Sequence, residues 1–503
     1  MPARESLARH GWLIAIAAAY LYVFPYFPKI RSANELPRVY LTRAMVEDRS
    51  FTIDSGVERW GATADVSPAG GHLYSNKAPG SSMLAMPAYA AVRLVSEPSL
   101  ATSLWICRVV AGIFPMLAFL WLLWGFLARF APDPAVRRLV LVAYALGSMA
   151  MTYSILFFSH QLGAVCVGSA WILAVDVAER RRGLGAMAVA GALAGAAPLV
   201  DYQAVFAAVP VAVYVVARMW RTMNRAELWR AIGVATLAAA IPIGVLLTYH
   251  AVCFGSPWRT GYDASTTFAA FHQQGFLGIT ELRWEAFHGS LIRPDNGLVF
   301  LAPWLLIAVP GSVVLARTER GLAAVGIAVA VIYILFVSSI NFWRGGWGVG
   351  PRYITAMLPF LLPAIAAQLE AWKTRPLVFG IAASTIVTGI AIYCLANLTF
   401  PYWPDSVRNP LAEVTFRMLG NGLFAPTAGS ALGMTGWFGA LPYLLLVGGI
   451  VGWAIERVAG WRALVIAAVL GTLTLVAYAQ LPHSSRAQSD RVFGFVRSAV
   501  LER

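Results

Sequence analysis

Long runs of apolar residues recur from one end of the chain to the other, separated by short polar connections. Apolar stretches of about 20 residues are typical of helices that cross a lipid bilayer. We therefore predict an all-α polytopic membrane protein with about 13 transmembrane helices. The predicted spans are approximately residues 11–27, 103–128, 139–158, 160–178, 184–200, 203–217, 231–250, 297–315, 321–340, 353–370, 377–396, 437–455 and 462–481.

The short connections predict the orientation of these spans, because cytosolic loops of membrane proteins are enriched in arginine and lysine. Arginines concentrate at the N-terminus and in the connections 129–138, 179–182 and 218–230. With 13 spans, every connection of this kind lies on the cytosolic side. The same count places residues 482–503 outside as a short extracytoplasmic tail.

Three connections are much longer than turns and fall on the outer side, at residues 28–102, 251–296 and 397–436. Loops of this length are usually functional or disordered. Their content of Trp, Tyr, Gly and Pro favours ordered, functional loops within one transmembrane domain, residues 1–481. We interpret segment 80–96 as an amphipathic helix in the outer interface, because a span there would invert every later loop.

Composition agrees with this pattern. The 503-residue chain is 59% hydrophobic and 12% charged, with a mean hydropathy of +0.67, whereas soluble proteins contain about 25% charged residues. The net charge of +14 is divided among short loops, so it reports topology and contact with anionic lipid, and we expect no nucleic-acid partner. The cysteines show no CxxC spacing, and hence no zinc or redox motif.

Two charged residues of the first outer loop are candidates for chemistry. Glu35 lies just beyond the first span, at the start of a predicted amphipathic helix, where a carboxylate can accept a proton from a nucleophile. Alternatively, it is a helix N-terminal carboxylate that interacts with the macrodipole. Lys77 precedes Ala-Pro-Gly at the start of an apolar stretch. A cation there suits a phosphate, although a lysine reaching for lipid headgroups would look the same.

The stretch 338–353, between the ninth and tenth predicted spans, combines glycines with tryptophan and arginine. Glycines allow close backbone approach, tryptophans offer flat apolar faces, and arginines offer forked donors. This combination suits a sugar phosphate carried on a lipid, and the alternative is an aromatic belt with anchoring arginines. The candidate residues are Trp343, Arg344, Trp347, Arg352 and Tyr353.

Further polar residues lie at the outer ends of spans. His160 begins the fourth span, and Asp201 joins the fifth and sixth. A 17-residue span reaches only roughly 25 Å, so Asp201 is expected in a protein-lined cavity below the outer surface. Arg293 and Asp295 precede the eighth span. These residues line a site in one interpretation, and in the other they are ordinary turn, core or charged-loop residues.

Taken in order, these motifs resemble the GT-C superfamily of membrane glycosyltransferases. The similarity is to bacterial members near the protein O-mannosyltransferases and the lipid A aminoarabinose transferase, and it covers most of residues 11–375. It rests on Asn34-Glu35-Leu-Pro-Arg38, on Lys77-Ala-Pro, and on the Trp-x-Gly-Gly and Gly-Pro-Arg-Tyr elements of 343–353. Asn34 stands where such proteins often have an acid, and Lys77 precedes Ala-Pro where they have Pro-Pro.

The resemblance implies an inverting-type glycosyltransferase that uses a polyprenyl-phosphate sugar donor. The acceptor would be an extracytoplasmic envelope glycan, lipid or protein. The enzyme would reside in a bacterial plasma membrane, with its active site on the extracytoplasmic face. Glu35 would be the base, Lys77 with Arg352 or Arg344 would hold the phosphate, and Arg38 would line the site. Asn34 leaves the use of a divalent metal open.

Two other functions fit parts of the sequence. A lipid or solute transporter usually shows internal repeats and broken helices at mid-membrane, and we see neither. A polymerase or ligase acting on lipid-diphosphate glycans would share the outer loops and arginines without needing the Asn34-Glu35 and Lys77-Ala-Pro elements.

Overall fold

A computed structural model describes residues 2–272, 274–275 and 278–501. The chain is 73% helical, which confirms the predicted all-α polytopic class. Within the described residues, eight helices are long and apolar enough to cross a membrane, or nine if a pair bent by 58° counts as one span. The eight are Leu100–Leu127, His160–Ala178, Tyr202–Thr222, Arg225–Phe254, Arg320–Ser339, Arg352–Trp372, Pro376–Thr399 and Gly436–Ala479, and the bent pair is Pro134–Leu146 with Met149–Ile155.

The other predicted spans coincide with shorter or interrupted helices. Gly436–Ala479 is broken at Gly460, whose positive φ of 78° is not helical, so two predicted spans share this segment. Three shorter apolar helices are His10–Tyr22, Leu184–Val200 and Pro303–Ala316. Each predicted span therefore falls on a helix or half of one, and the number of bilayer crossings stays a prediction.

Ion pairs gather the arginine-rich connections at one end of the helix bundle. Glu179 contacts Arg129 at 3.0 Å and Arg218 at 3.3 Å. Arg218 also lies 3.4 Å from Glu319 in a fourth connection. Connections that join different helix pairs thus share one face, as the charge pattern predicts for loops on the same side of a membrane.

The long connections meet one another at the other ends of these helices. Asn76 of the first long connection donates to Ser265 of the second at 3.3 Å. The backbone N–H of Gly348, in the glycine-rich stretch, donates to the Trp403 carbonyl oxygen of the third at 3.1 Å. A hairpin of β1 (Val66–Ala69) and β2 (His72–Ser75) belongs to the first connection. Helices of the long connections and the tail are Leu36–Arg43, Ala44–Asp48, Asp54–Trp60, Gly80–Arg93, Gly261–Ala264, Ala269–His272, Trp284–Leu291, Leu298–Leu301, Leu411–Phe416, Arg417–Gly420, Ala428–Ala431 and Arg486–Leu501.

Small residues let two of the helices pack closely. A Cβ atom added at Gly191 would lie 2.2 Å from the Ala235 carbonyl oxygen, and one at Gly195 would lie 2.3 Å from that of Ala239. Close backbone approach between small residues is a common way for helices to associate in a bilayer. Leu184–Val200 therefore rests directly against Arg225–Phe254.

The first outer loop is more deeply packed than the sequence suggested. The predicted helix after Glu35 is present as Leu36–Arg43, but all its residues are buried, so it is not an exposed amphipathic helix at the interface. It packs against Gly80–Arg93, where the Ser82 hydroxyl donates to the Arg38 carbonyl oxygen at 3.0 Å. Gly80–Arg93 is not among the candidate spans, and its position in the interface stays a prediction.

Candidate active site

A cavity lined mainly by polar side chains lies where the outer loops meet the ends of the spans, and we call it the polar cavity. It encloses about 20 Å³, enough for one water molecule. Asn34 and Arg352 also line a neighbouring space of about 430 Å³, the outer cavity. The polar cavity is lined by Asn34, Arg38, Lys77, Ala78, Ser159, His160, Asp201, Tyr202, Tyr262, Arg352 and Tyr353.

The β-hairpin places Lys77 and its carboxylate partner together. Asp65 directly precedes β1 and Asn76 directly follows β2, and the Asn76 backbone N–H donates to the Asp65 carbonyl oxygen at 3.2 Å. The Lys77 Nζ atom lies 2.8 Å from Asp65 Oδ2 and 5.5 Å from the Tyr262 ring centre. Burial lowers the pKa of Lys77 to about 8, against the opposing effect of Asp65. A second anion in the cavity would favour the charged lysine.

Arg38 supplies a second cation from the buried helix Leu36–Arg43. Its guanidinium donates to the Asn34 carbonyl oxygen and to the Ser159 hydroxyl, the latter at 2.8 Å. Its Nε atom is buried without a hydrogen-bond partner among the described residues. Burial also lowers the pKa of Arg38. The guanidinium therefore keeps donor capacity for an anion in the cavity.

The glycine-rich stretch holds Arg352, the third cation. The Arg352 guanidinium donates to the carbonyl oxygens of Gly345 and Trp347, the latter at 3.2 Å. Gly345 has a φ of +72°, and a Cβ atom there would lie 2.9 Å from Arg352 Nε. Glycine is needed at this position because the backbone adopts a left-handed conformation directly against the guanidinium. The glycines of this stretch thus bring backbone acceptors to Arg352.

His160 and Asp201 form a buried pair at the polar cavity. The His160 Nδ1 atom lies 2.8 Å from Asp201 Oδ2. Gly163 permits this approach, because a Cβ atom there would lie 3.0 Å from that of Asp201. The Nε2 atom of His160 is buried and has no hydrogen-bond partner among the described residues. In this pair, His160 Nδ1 is therefore hydrogen-bonded, whereas His160 Nε2 is available to a ligand.

Glu35 lies outside the polar cavity, in a separate pocket where its oxygen atoms are fully engaged. Its Oε1 accepts from Arg108 Nε at 2.9 Å and from the Phe157 N–H at 2.6 Å. Its Oε2 accepts from Arg108 Nη2 at 3.0 Å and from the Tyr402 hydroxyl at 2.6 Å. Glu35 occupies the N-cap position of the next helix but makes no side-chain cap bond. The Glu35 carboxylate, which the sequence suggested would be free to accept a proton, is therefore fully hydrogen-bonded. Its role as the base stays a prediction.

Arg344 also lies apart from the polar cavity. It pairs with Asp295, which pairs with Arg293 at 2.9 Å, and burial lowers the pKa of Arg344 to about 10. Arg293, Trp343 and Arg344 line another space of about 280 Å³. Of the two arginines offered for the phosphate from the sequence, the structure brings Arg352 to Lys77 and places Arg344 elsewhere.

The remaining predicted residues divide between these spaces. Arg38, His160, Asp201 and Tyr353 line the polar cavity with Lys77 and Arg352, whereas Trp347 lines the outer cavity. Within the described part of the chain, no three His, Cys, Asp or Glu side chains gather as ligands for a metal ion. The use of a metal stays open.

No family model and no curated protein matches the chain. Among solved structures, ArnT from Cupriavidus metallidurans matches in the apo state with a TM-score of 0.49 and 14% identity, covering 94% of this chain and 78% of that one. ArnT bound to undecaprenyl phosphate matches with a TM-score of 0.48, the same identity and the same coverage.

A third match is the archaeal oligosaccharyltransferase AglB from Archaeoglobus fulgidus, in complex with an inhibitory peptide and a dolichol-phosphate. Its TM-score is 0.42 at 12% identity, covering 91% of this chain and 56% of that one. ArnT and AglB are both GT-C membrane glycosyltransferases.

Several residues around the site were missed from the sequence. Asp65 had a detectable signal, because Gly70-Gly71 between two short β-prone runs indicates a hairpin that pairs the residues flanking it. Arg108 and Tyr402 had none, since each lies in or beside an apolar run and reaches Glu35 only through the tertiary fold. Ser159, Tyr202 and Tyr262 complete the polar lining in the same way.

Proposed function

We propose that this membrane protein transfers a sugar from a polyprenyl-phosphate donor to an extracytoplasmic acceptor. The observation that carries the proposal is the meeting of Arg38, Lys77 and Arg352 at one buried cavity. Arg38 and Lys77 come from the first outer loop and Arg352 from a distant connection, and three like charges repel one another in a desolvated site. Such a cluster suits an anion with several oxygen atoms, and a phosphate is the commonest of these.

The charges also suit the departure of a phosphate. Arg38, Lys77 and Arg352 carry three positive charges, and two negative charges oppose them, on Asp65, which pairs with Lys77, and on Asp201, which lines the same cavity. A donor phosphodiester carries one negative charge, and the phosphate gains another as the bond to the sugar breaks. Cations that meet this developing charge in a site shielded from water stabilise the transition state more than the bound donor.

An apolar groove beside the polar cavity favours a lipid-linked phosphate over a soluble one. The groove measures about 380 Å³ and is lined by small and aliphatic residues of four consecutive helices. Asp201 and Tyr202 line the polar cavity, and Ala204 and Val205, a few residues on, line the groove. A polyprenyl chain in this groove would bring its phosphate to the three cations.

The outer cavity offers a path for the acceptor. It combines aromatic side chains such as Phe158 and Trp347 with the carboxylates Asp65 and Asp405. Aromatic faces with a few polar groups suit sugars and other amphipathic acceptors. Asn34 and Arg352 line both this cavity and the polar cavity, so the two spaces adjoin and together would hold the sugar phosphate and the acceptor. We propose that the acceptor displaces the phosphate in a single step, which inverts the anomeric centre.

The test uses the full chain in lipid nanodiscs with undecaprenyl phosphate carrying each of a panel of sugars. Envelope fractions of lipid, glycan and protein serve as acceptors, and mass spectrometry follows donor, free undecaprenyl phosphate and product. We expect one donor to disappear as undecaprenyl phosphate and a glycosylated acceptor appear, with inverted configuration by NMR. Growth of a diphosphate-linked glycan would identify a polymerase or ligase, and lipid movement without a covalent product would identify a transporter.

A further inference from the structure

We propose that His160, oriented by Asp201, is the general base that removes the proton from the attacking acceptor group. This inference rests on the proposed glycosyl transfer and names the residue that completes it. It does not follow from the superfamily resemblance, which implies the base at Glu35. It follows from the hydrogen bonds around each candidate acceptor of a proton.

The carboxylates near the site are engaged by cations. Both oxygens of Glu35 accept bonds from Arg108, and each accepts one more. Asp65 pairs with Lys77 at 2.8 Å and accepts from Asn76 Nδ2 at 3.3 Å. The lone pairs of these carboxylates are already used in hydrogen bonds and ion pairs, so a proton from an acceptor would have to displace one of these contacts. Glu35 also lies in a separate pocket, which shares Arg31 and Tyr402 with the lining of the outer cavity and no lining residue with the polar cavity.

The geometry of His160 is that of an oriented base. An ionised Asp201 can only accept hydrogen bonds, so the 2.8 Å contact requires the proton on His160 Nδ1. In the neutral ring, Nε2 then carries the free lone pair. This atom is buried without a hydrogen-bond partner among the described residues, and the side chain is 5% exposed. Leaving a buried nitrogen without a hydrogen bond costs free energy. A hydrogen bond from an incoming O–H or N–H donor would offset this cost.

The charges around the ring allow it to gain a proton during transfer. Arg38, Lys77 and Arg352 line the same cavity and oppose a positive imidazolium, whereas Asp201 favours it. When the sugar leaves, the phosphate gains one negative charge as His160 gains one positive charge. The two changes offset each other within one cavity, so neither charge develops alone in a desolvated site.

The proposed step balances as follows. The acceptor X–H bond breaks and its proton moves to His160 Nε2, while the X atom forms a bond to the anomeric carbon. The bond between that carbon and the phosphate oxygen breaks, and its electron pair stays on the phosphate. The departing phosphate or water then takes the proton from His160. Asp201 stays ionised throughout and is a positioning residue.

The experiment separates the base from the phosphate site by measuring two properties of His160→Gln. The probe for binding is undecaprenyl phosphate alone, and the probe for turnover is the sugar donor found active in the panel. We expect binding within about threefold of wild type, with turnover lower by about 10²–10⁴-fold. His160→Ala should recover part of the turnover in added imidazole, in proportion to the neutral imidazole present.

A matched control comes from a second His–Asp pair. His72 Nδ1 lies 2.7 Å from Asp54 Oδ2 at the exposed end of the hairpin, and His72→Gln removes the same kind of bond outside both cavities. Its turnover should match wild type. Asp201→Asn should lose turnover without losing undecaprenyl phosphate binding, and imidazole should rescue His160→Ala less well in the Asp201→Asn background.

Three results would overturn the proposal. Normal turnover of His160→Gln would show that His160 is not the base. Loss of undecaprenyl phosphate binding in that variant would show that His160 is a phosphate ligand. A Glu35→Gln variant that folds normally, binds the probe and fails to turn over would return the base to Glu35. If wild-type protein binds no undecaprenyl phosphate and uses no donor, the proposed function itself fails, which is a different outcome from any of these.

Discussion

Two buried clusters of opposite charges lie at the outer end of this protein, and they differ in how completely their hydrogen bonds are made. In the Glu35 cluster, Arg108, Tyr402 and the Phe157 N–H together supply four hydrogen bonds to the carboxylate. In the polar cavity, nitrogen atoms of Arg38, His160 and Arg352 stay buried without partners among the described residues. Buried polar groups are normally paired, so an unpaired set around one space indicates a site for a ligand, and a complete set indicates structure.

The largest effect should come from removing the cations of the polar cavity. Lys77→Ala and Arg352→Ala should each reduce turnover by about 10²–10³-fold, comparable to the loss of one oxyanion donor. If both act on one phosphate, the double variant should lose less than the product of the two single losses. Turnover of the active donor by all three variants tests this.

The two arginines of the glycine-rich stretch sharpen this prediction. Arg352→Lys should still lose turnover, because the forked donor is gone. Arg344→Ala should weaken undecaprenyl phosphate binding less than Arg352→Ala, because Arg344 pairs with Asp295 outside the polar cavity. If the losses of Lys77→Ala and Arg352→Ala simply multiply in the double variant, the two residues do not act on a shared phosphate. Equal effects of both arginines on binding would restore the alternative that Arg344 holds the phosphate.

Substitution of Glu35 should affect the thermal stability of the protein before it affects the chemistry of transfer. Glu35→Gln leaves Arg108 charged, buried and uncompensated, and breaking such a pair costs about 3–5 kcal/mol. We expect a lower thermal midpoint in detergent, and Glu35→Gln with Arg108→Gln should recover part of the loss. Asp490→Asn, which breaks the exposed pair with Arg417, should leave the midpoint unchanged. A Gln variant with a normal midpoint but no turnover would support the base predicted from the resemblance.

The contrast also shows what the sequence could predict. Apolar runs and arginine placement located the helices, because period and hydrophobicity are local properties. His160 and Asp201 were singled out because they lie at the ends of apolar spans, where a charge is costly. Lys77 was singled out as a cation before Ala-Pro-Gly, and Arg352 by the glycines and tryptophans around it. Their meeting in one cavity depends on packing between distant segments, which no local pattern encodes.

The hydrogen-bond partners of Glu35 could not be predicted from the sequence for the same reason. Its partner Arg108 lies within the helical segment Leu100–Leu127, where an arginine had no visible role. Its other partner, Tyr402, is 367 residues away along the chain. Whether a carboxylate is an open base or a closed ion pair is decided by such contacts.

The pH profile should show Lys77 as a group that titrates near neutrality. Its pKa is lowered to about 8 by burial, and only the charged form can hold a phosphate. In kcat/KM, which reports the free enzyme, activity should fall as pH rises through about 8 and be about tenfold lower one unit above. A bound phosphate favours the charged lysine, so the corresponding fall in kcat should lie at higher pH.

Lys77→Arg supplies the control for this profile, because an arginine stays charged throughout the range. Its turnover at pH 7 will be lower than wild type if the geometry of the ammonium matters, but the fall near pH 8 should disappear. If kcat/KM of Lys77→Arg still falls near pH 8, another group titrates at that pH and Lys77 does not cause the fall.

The smallest effect should come from the apolar groove, where Ala208→Phe fills space without removing a charge. Ala208 lines the groove on the helix Ala208–Thr222. We expect the affinity for undecaprenyl phosphate to fall about tenfold, or about 1.4 kcal/mol, because apolar contacts with the chain are lost. Val213→Phe is the matched control, because Val213 is on the same helix, is 66% exposed and does not line the groove. A phosphate carrying only two isoprene units should bind both variants as it binds wild type, since it reaches the cations without filling the groove. If Ala208→Phe weakens the short and long lipids equally, the groove does not hold the chain, and the contrast between polar cavity and groove as head and tail sites would be wrong.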